Sequence, residues 1–463
     1  MQIPILSGVY TDNDPSVRVQ YPVNMIPVSQ ASGVSNGYLR PADGIVQDGT
    51  GPGITRGGIN WNDVLYRVMG SKLVSIADDG TVTTLGDVGG TTENVTFNYS
   101  FDRLGIASNN NLFYWDGSTL TQVTDPDLGV VVDMTWIDGY FLTTDGESLI
   151  VTDLDDPTVV NPLKFGSSEI DPDPVIALQK LRNEAYALNR YTIEVFDNIG
   201  GDFFPFQRKK GAQIQKGCVG THACCIYQET IAFVGSSRNE QNSVYLGVNG
   251  VANKVSTREI DDILEGYTEA ELSVVKLEAR NDRSSQLLYI HLKDQTLVYD
   301  HAASGELGQP VWCILKSTDE YRAKHLVYVY NNWHVGDTDS ANVGTLSTTT
   351  GSHWGNIVSW EFGTSMVYNE SKGAIFHSLE LVSLTGITVV GKDPRISTSH
   401  SFDGKFWSED KYINSGKVGE TTKRLVWFRE GPMKSFRMQR FRGDSNTHAS
   451  FMRLEAELEA LFV

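Results

Sequence analysis

The chain has 463 residues, with 57 Asp and Glu against 38 Lys and Arg, for a formal net charge of −19. Single cores stop growing below this length, so two or three domains are expected. So acidic a chain gains no counterion-release affinity for nucleic acid except through a local basic patch.

The opening MQIPILSG has neither a basic nor a long apolar region, so no signal peptide is expected, and the chain is read as made and kept in a cytosol. No window approaches the roughly 20 apolar residues of a membrane span. The Asn-x-Ser/Thr triplets at Asn94, Asn98 and Asn369 are then chance matches. Residues 1–52, with VYTDNDPSVRVQYPVNMIPV and GYLRPADGI, form a proline-marked extended arm with few patterned strands. Such an arm lies along its own domain or reaches a neighbouring subunit.

From residue 53 the pattern changes to hairpins, in keeping with 44 glycines and frequent Thr, Ser, Val and Asn. GSKLVSIADDGTVTTLG turns at Asp79-Gly80, NNNLFYWDGSTLTQV at Asp116-Gly117, and DGYFLTTDGESLIVTDL at Asp145-Gly146. Asp-Gly between alternating apolar runs is the strongest short hairpin signal. NEAYALNRYTIEVFDN, ETIAFVGSSRNEQNSVYLGVNG, SQLLYIHLKDQTLVYDH and NNWHVGDTDSANVGTLS continue the series, most preceded by a further apolar run. Tyr140 to Tyr186 is 46 residues, Tyr186 to Ala232 is 46, and Leu288 to Trp333 is 45.

That rhythm is the 40–50 residues of a propeller blade. A small sheet cannot bury both of its faces alone, whereas radial placement covers each face with a neighbour. Seven units between about Gly53 and Thr350 predict an all-β chain, a β-propeller of six or seven blades over residues 53–354. The alternative is a pair of β-sandwiches with regularly spaced hairpins. The 28-residue step from Leu112 to Tyr140 implies a blade lacking a strand. The 56-residue step from Ala232 to Leu288 implies an insertion: Ile260, Ile263 and Leu264 at i, i+3 and i+4, with Thr257 at an N-cap, predict a helix near 257–272 on the rim.

Cys218, Cys224, Cys225 and Cys313 are too few for a disulfide scaffold. CVGTHACC puts three thiols beside His222, but Cys224 and Cys225 are adjacent in a strand and face opposite ways. They are read as buried reduced thiols, with no metal and no cofactor. After about Gly355 the blade rhythm stops. SLELVSLTGITVVG, PRISTSHSFDGKFWSE and KRLVWFREG predict a C-terminal β-sandwich over 355–463. Its later part is basic (Lys417, Lys423, Arg424, Arg429, Lys434, Arg437, Arg440, Arg442, Arg453), but alternation in SFRMQRFRG splits these residues between faces. A solvated strand, a nucleic-acid groove and contact with an acidic partner all remain open. The terminal FMRLEAELEALFV is a last strand or a short helix.

In order, YPVNMIPV, GYLRPADGI, RGGINWNDVLYRVMGSKLVSI, VTDLDDPTVVNPLKFGSSEIDPDPVIAL, LNRYTIEVFDNIGG, IQKGCVGTHACCIYQETIAFVG, EIDDILEGYTEAEL, LLYIHLKDQTLVYD and PVWCIL resemble the tail-hub proteins of short-tailed phages (podoviruses). These are also called packaged-DNA-stabilisation or tail-nozzle proteins. The resemblance runs through about residues 20–350, with a weaker echo in SLELVSLTG and SFDGKFWS. It implies a β-propeller in each subunit of a homohexameric ring in the virion tail, assembled in the host cytoplasm. Such a ring sits under the portal and adaptor, retains packaged DNA, guides genome ejection and carries tailspikes or fibres, with a tail needle or plug as a further partner. Viral double-stranded DNA would pass through the lumen without sequence-specific contact, repelled at close range by acidic walls.

FQRKKGAQIQKG holds the one dense basic loop: Arg208, Lys209, Lys210 and Lys216 are candidates to touch DNA or a neighbouring subunit, though charge runs usually face water. The rival reading is a propeller lectin or sialidase-like glycoside hydrolase. SFDGKFW resembles the Asp-box turn but lacks one residue and occurs once. Nothing singles out a carboxylate pair, and there is no G-x-S-x-G, H-E-x-x-H or Walker sequence. No catalytic residue is assigned and no enzyme is expected.

Overall fold

In a computed structural model the described residues are 2–6, 21–30, 35, 37–201, 203–364, 366–369 and 372–461. Seven four-stranded antiparallel sheets follow one another as blades 1 to 7, at residues 55–87, 96–122, 133–167, 175–208, 224–254, 276–315 and 324–347. The first strand of each blade lies innermost, and these inner strands pack side by side in a closed ring. Blade 7 takes its outer strand from the other end of the propeller: Gly44–Thr50 pairs with Asn342–Ser347. Hydrogen bonding between the two ends of the propeller segment seals the ring.

Each blade is covered on both faces, and its strands show it. Every residue of Leu104–Ser108 and of Thr296–Asp300 is buried, a pattern that a one-sided sheet does not give. Separate apolar clusters fill the gaps between neighbours. Val68 and Leu73 of blade 1 meet Ile106 and Phe113 of blade 2, and Leu112 and Tyr114 of blade 2 meet Met134 and Phe141 of blade 3. The Asp116-Gly117 hairpin forms as read, with Trp115 opposite Leu120 and Asp116 Oδ1 accepting from the Ser118 and Thr119 amides at 2.8 and 2.7 Å.

Blade 2 has its full four strands, so the expectation of a missing strand is corrected. Leu112 sits on the third strand of its blade and Tyr140 on the second of the next, so that step compared inequivalent positions. The insertion after blade 5 is two short helices, Arg258–Glu265 and Glu269–Ser273, separated at Gly266. The first buries Ile260 and Leu264 in the core shared by blades 4 to 6. Thr257 occupies the N-cap position, but its hydroxyl hydrogen-bonds Tyr21 Oη at 2.6 Å instead of capping. A third helix, His301–Leu307, was not expected. Asp300 caps it by accepting from the Ala302 and Ala303 amides, and Gly308 ends it at φ 68°.

The C-terminal domain is a β-sandwich. One sheet carries Ala374–Ser383, Leu425–Met433 and Phe451–Ala460, so residues 451–460 form a strand and not a helix. The other carries Ser359–Gly363, Arg395–Ser401, Lys411–Asn414 and Phe436–Asp444. Trp360, Phe362, Trp427, Phe441 and Phe451 fill the space between them.

The segment expected as an arm is woven into both domains. Gln2–Ile3, Met25–Ser29 and Gly37–Pro41 add strands to the first sandwich sheet, whereas Gly44–Thr50 belongs to blade 7. Proline and glycine interrupt these strands, which hides their alternation. The 7–20 stretch of the expected arm lies outside the described residues.

Candidate functional site

Side-chain and main-chain hydrogen bonds tie each blade to the next around the propeller axis. Thr96 Oγ1 of blade 2 donates to Asp133 Oδ1 of blade 3 at 2.6 Å, and the Leu178 amide of blade 4 donates to Asp133 Oδ2 at 2.7 Å. Gln179 Nε2 donates to Cys224 Sγ of blade 5 at 3.5 Å, and the Leu277 amide of blade 6 donates to the His222 carbonyl at 2.9 Å. The His325 and Leu326 amides of blade 7 donate to the Glu278 carboxylate of blade 6 at 2.9 and 3.2 Å. Between blades 1 and 7, Asn60 Nδ2 donates to the Tyr328 carbonyl at 3.1 Å. The Val95 amide, entering blade 2, donates to the Arg56 carbonyl of blade 1 at 3.0 Å.

Burial sets the protonation of this axis. It pushes the Asp133 carboxyl up to about 7 and, aided by Lys276 and Lys324, holds the His222 imidazole down at about 3. Glu278 stays ionised at about 2: Lys276, His291 and the Leu326 amide outweigh its desolvation. A pocket of about 180 Å³ among the inner strands is lined by Thr96, Asp133, Gln179, His222, Cys224 and Lys276 among others. A duplex whose major groove alone is about 12 Å wide has no path through it.

Three of the four residues of the basic loop are ion-paired within the subunit. Arg208 pairs with Glu194 at 3.1 Å, Lys209 with Glu184, and Lys216 with Glu240, each within blades 4 and 5. Lys210 is exposed at the turn beyond the last strand of blade 4. Several basic residues of the sandwich are likewise engaged within the domain. Arg437 meets Glu430 at 3.1 Å with both side chains buried, Arg442 meets Glu361 at 2.5 Å, Arg424 meets Glu380, and the Arg440 guanidinium lies 4.0 Å from the Trp407 ring centre. SFDGKFW closes a local turn in which Asp403 Oδ1 accepts from the Lys405 and Phe406 amides at 2.9 Å. Cys224 faces Gln179 of blade 4, while Cys225 lies on the side of Glu278 and Lys276.

The sequence reading did not select the exposed apolar side chains. On the outer strand of blade 3, Leu163 and Phe165 project from the face opposite Lys164 and Gly166, and Phe165 is 57% exposed. Ile199 and Phe203 are exposed on the adjoining loop of blade 4, whose Phe204 ring packs over Gly166. The sandwich exposes Val390 and Phe406 outside its strands and Phe428 on the strand Leu425–Met433. Exposed apolar patches of this kind mark interaction surfaces. The i, i+2 pair Leu163/Phe165 was the available signal in the sequence.

A family model described as the phage P22 Gp10 β-propeller matches residues 1–351, and one described as the P22 Gp10 β-sandwich matches residues 359–459. The chain belongs to the phage P22 Gp10 family. A Gp10 relative from Salmonella phage P22, the tail hub protein gp10, is 28% identical over 458 residues, which is 94% of this chain and 94% of that one. As a Gp10 protein the chain is a structural component of a phage virion tail and not an enzyme. Among solved structures, the Neurospora crassa Pan2 WD40 domain covers 65% of the chain and 95% of its own length at 12% identity and a TM-score of 0.43. The N-terminal domain of Nup159 covers 70% and 98% at 10% identity and a TM-score of 0.42. The two Gp10 models meet at the joint between the domains, where Trp354 Nε1 donates to the Arg322 carbonyl at 2.9 Å.

Proposed function

We propose that copies of this chain form a ring, a homohexamer, in the short tail of a phage, continuing the DNA channel below the portal and adaptor. The observation that carries this reading is the closed propeller axis in a member of the Gp10 family. A conduit for duplex DNA then has to run between subunits, not through one. Exposed Leu163 and Phe165 on a strand at the sheet edge support a subunit contact, because such edges recruit partners. In this role the ring retains packaged DNA, guides its ejection, and docks tailspikes or fibres and a needle or plug protein. Copies each carrying −19 charges would repel the duplex at close range, so it slides instead of sticking. Arg208, Lys209, Lys210 and Lys216 are proposed contacts to DNA or to an acidic neighbouring subunit, with Lys210 exposed at its turn.

The test is mass in solution with and without a portal–adaptor complex. The expected result is monomer or weak association alone and a ring on the template. A chain that ignores the template and cleaves or binds a glycan would overturn the reading. Lys210→Glu should weaken ring formation or DNA retention if the loop is a contact, and an unchanged ring with normal retention would remove it.

A further inference from the structure

The ends of the inner strands of blades 5, 6 and 7 line an open groove of about 880 Å³ on one face of the propeller. Turns from the three blades contribute to it. Gln228, Arg283 and Asn331 hold φ at 49°, 55° and 59°, a region that glutamine and arginine enter less readily than asparagine. Strained turn residues on a rigid scaffold are common at binding sites.

Blade 7 supplies an aromatic pair. Tyr328 and Trp333 are cross-strand partners with ring centres 5.3 Å apart, and Tyr328 is 51% exposed. Blades 5 and 6 supply amides: Gln228 Nε2 donates to Asn281 Oδ1 at 2.9 Å, which leaves Gln228 Oε1 and Asn281 Nδ2 uncommitted. Asn331 and Asn332 are exposed, and their side chains have no hydrogen-bond partner among the described residues. Arg280 also lines the groove and is only 4% exposed. Asp43, Asp282 and Tyr289 hold its Nη atoms at 2.6, 3.3 and 3.2 Å, and its guanidinium lies 5.7 Å from the Trp333 ring centre. Its Nε is left without a hydrogen-bond partner among the described residues. Arg283 is exposed and makes no ion pair with a described residue, because the adjacent Asp282 carboxylate is taken by Arg40 at 2.9 Å and by Arg280.

This composition narrows the ligand. The volume is that of a small-molecule site, but amides and guanidinium groups predominate where such sites are usually apolar, so the ligand is itself polar around its edges. A sugar ring has that character: its C–H face lies against an aromatic ring, and its hydroxyls pair with amides that both donate and accept. The unpaired Arg283 adds a place for a carboxylate. Arg283 alone is too little to track a nucleic-acid backbone. An extended peptide would add to a strand edge, whereas this groove crosses strand ends.

We propose that the groove across blades 5, 6 and 7 binds an acidic oligosaccharide. Sugar ring faces rest on Tyr328 and Trp333, hydroxyls pair with the Gln228, Asn281, Asn331 and Asn332 amides, and a carboxylate pairs with Arg283. Binding here is independent of ring assembly: a chain that assembles on the portal–adaptor template without binding the glycan fails this proposal alone.

The test titrates the full chain with trigalacturonate, a hyaluronan tetrasaccharide, neutral maltotriose and a hexaglutamate peptide. Saturation-transfer NMR on the ligand and quenching of tryptophan fluorescence report binding. The expected result is saturable binding of an acidic glycan, tighter than that of maltotriose, with none of the peptide. Arg283→Met should weaken it about tenfold or more, the worth of a hydrogen bond to a charged group. Tyr328→Ala should abolish it, and circular dichroism checks that both variants fold. Failure of both acidic glycans to bind, equal binding of maltotriose, or an affinity unchanged in either variant overturns the proposal. Preference for hexaglutamate also overturns it and points to a protein partner. If a variant does not fold, the wild-type panel decides by the same criteria.

Discussion

Asn24 is the residue through which the N-terminal segment joins the two domains, and its replacement has a calculable cost. Its side chain makes three hydrogen bonds, all to main chain. Nδ2 donates to the Lys316 carbonyl at the end of blade 6 (2.9 Å) and to the Ser359 carbonyl at the start of the sandwich (2.8 Å), while Oδ1 accepts from the Lys316 amide at 2.9 Å. The residue is 5% exposed and has φ 55°, a region that asparagine and glycine enter far more readily than alanine. Asn24→Ala removes all three bonds and leaves the Lys316 N–H buried without a partner, which costs about 1–3 kcal/mol. Left-handed backbone at an alanine adds about 1–2 kcal/mol. The expected loss is therefore about 2–5 kcal/mol, and Asn24→Gly, which relieves only the backbone part, should lose about 1–2 kcal/mol less. Urea unfolding followed by tryptophan fluorescence and by circular dichroism measures both variants. Asn24→Ala within about 0.5 kcal/mol of wild type would refute the reasoning, since that is the range of an ordinary surface change. Equal losses in the two variants would remove the backbone part.

Asp133 predicts a pH dependence. Burial raises its carboxyl from 3.8 to about 7, so its stabilising share is complete below about 3.8 and disappears as pH rises through about 7. Asp133→Asn should gain stability relative to wild type as thermal midpoints are taken from pH 4 to pH 8, and parallel profiles would refute the assignment. Gly235→Ala should prevent blade 5 from packing normally, because the added Cβ would fall 1.8 Å from the Gly217 carbonyl oxygen; a circular-dichroism melt within a degree of wild type would count against that contact. Glu430→Gln breaks the buried pair with Arg437 and the 3.0 Å contact to Lys411, so a loss of about 3–5 kcal/mol is expected in urea unfolding. Burial pushes the Cys313 thiol up to about 12, so this thiol should react with a water-soluble disulfide reagent at pH 8 only as fast as the chain unfolds.

The blades were legible because their second strands recur with little drift. Tyr140, Tyr186, Ala232, Leu288 and Trp333 all lie on the second strand of successive blades. Asp-Gly also marks true turns at residues 79–80, 116–117 and 145–146. Less visible were the two-residue turns built without glycine. Asn62 and Asp63, Gln228 and Glu229, and Tyr330 and Asn331 all adopt positive φ between an inner strand and its neighbour, and no composition rule would choose Gln-Glu for that geometry. The helix at His301–Leu307 was hidden by its length and by Ala-Ala-Ser-Gly, which reads as a loop until Asp300 is seen to cap it. The axial network was not legible at all. Asp133, His222, Glu278 and His325 are far apart in sequence, and only radial closure brings them together.

That closure also explains why the N-terminal segment reads as an arm and behaves as a fastener. A propeller whose last blade were built wholly from its own end would be held at the 7–1 seam by side chains alone. Supplying Gly44–Thr50 from the start of the chain adds a ladder of main-chain hydrogen bonds at the outer edge of blade 7. The same run of chain has just left the sandwich through Gly37–Pro41, so opening the propeller at that edge would pull on the second domain. Val23 extends the coupling, because its amide donates to the Glu361 carbonyl of the sandwich while the Ile314 amide of blade 6 takes the neighbouring Pro22 carbonyl. In a phage tail component, this wiring couples separation of the two domains to opening of the propeller at blade 7.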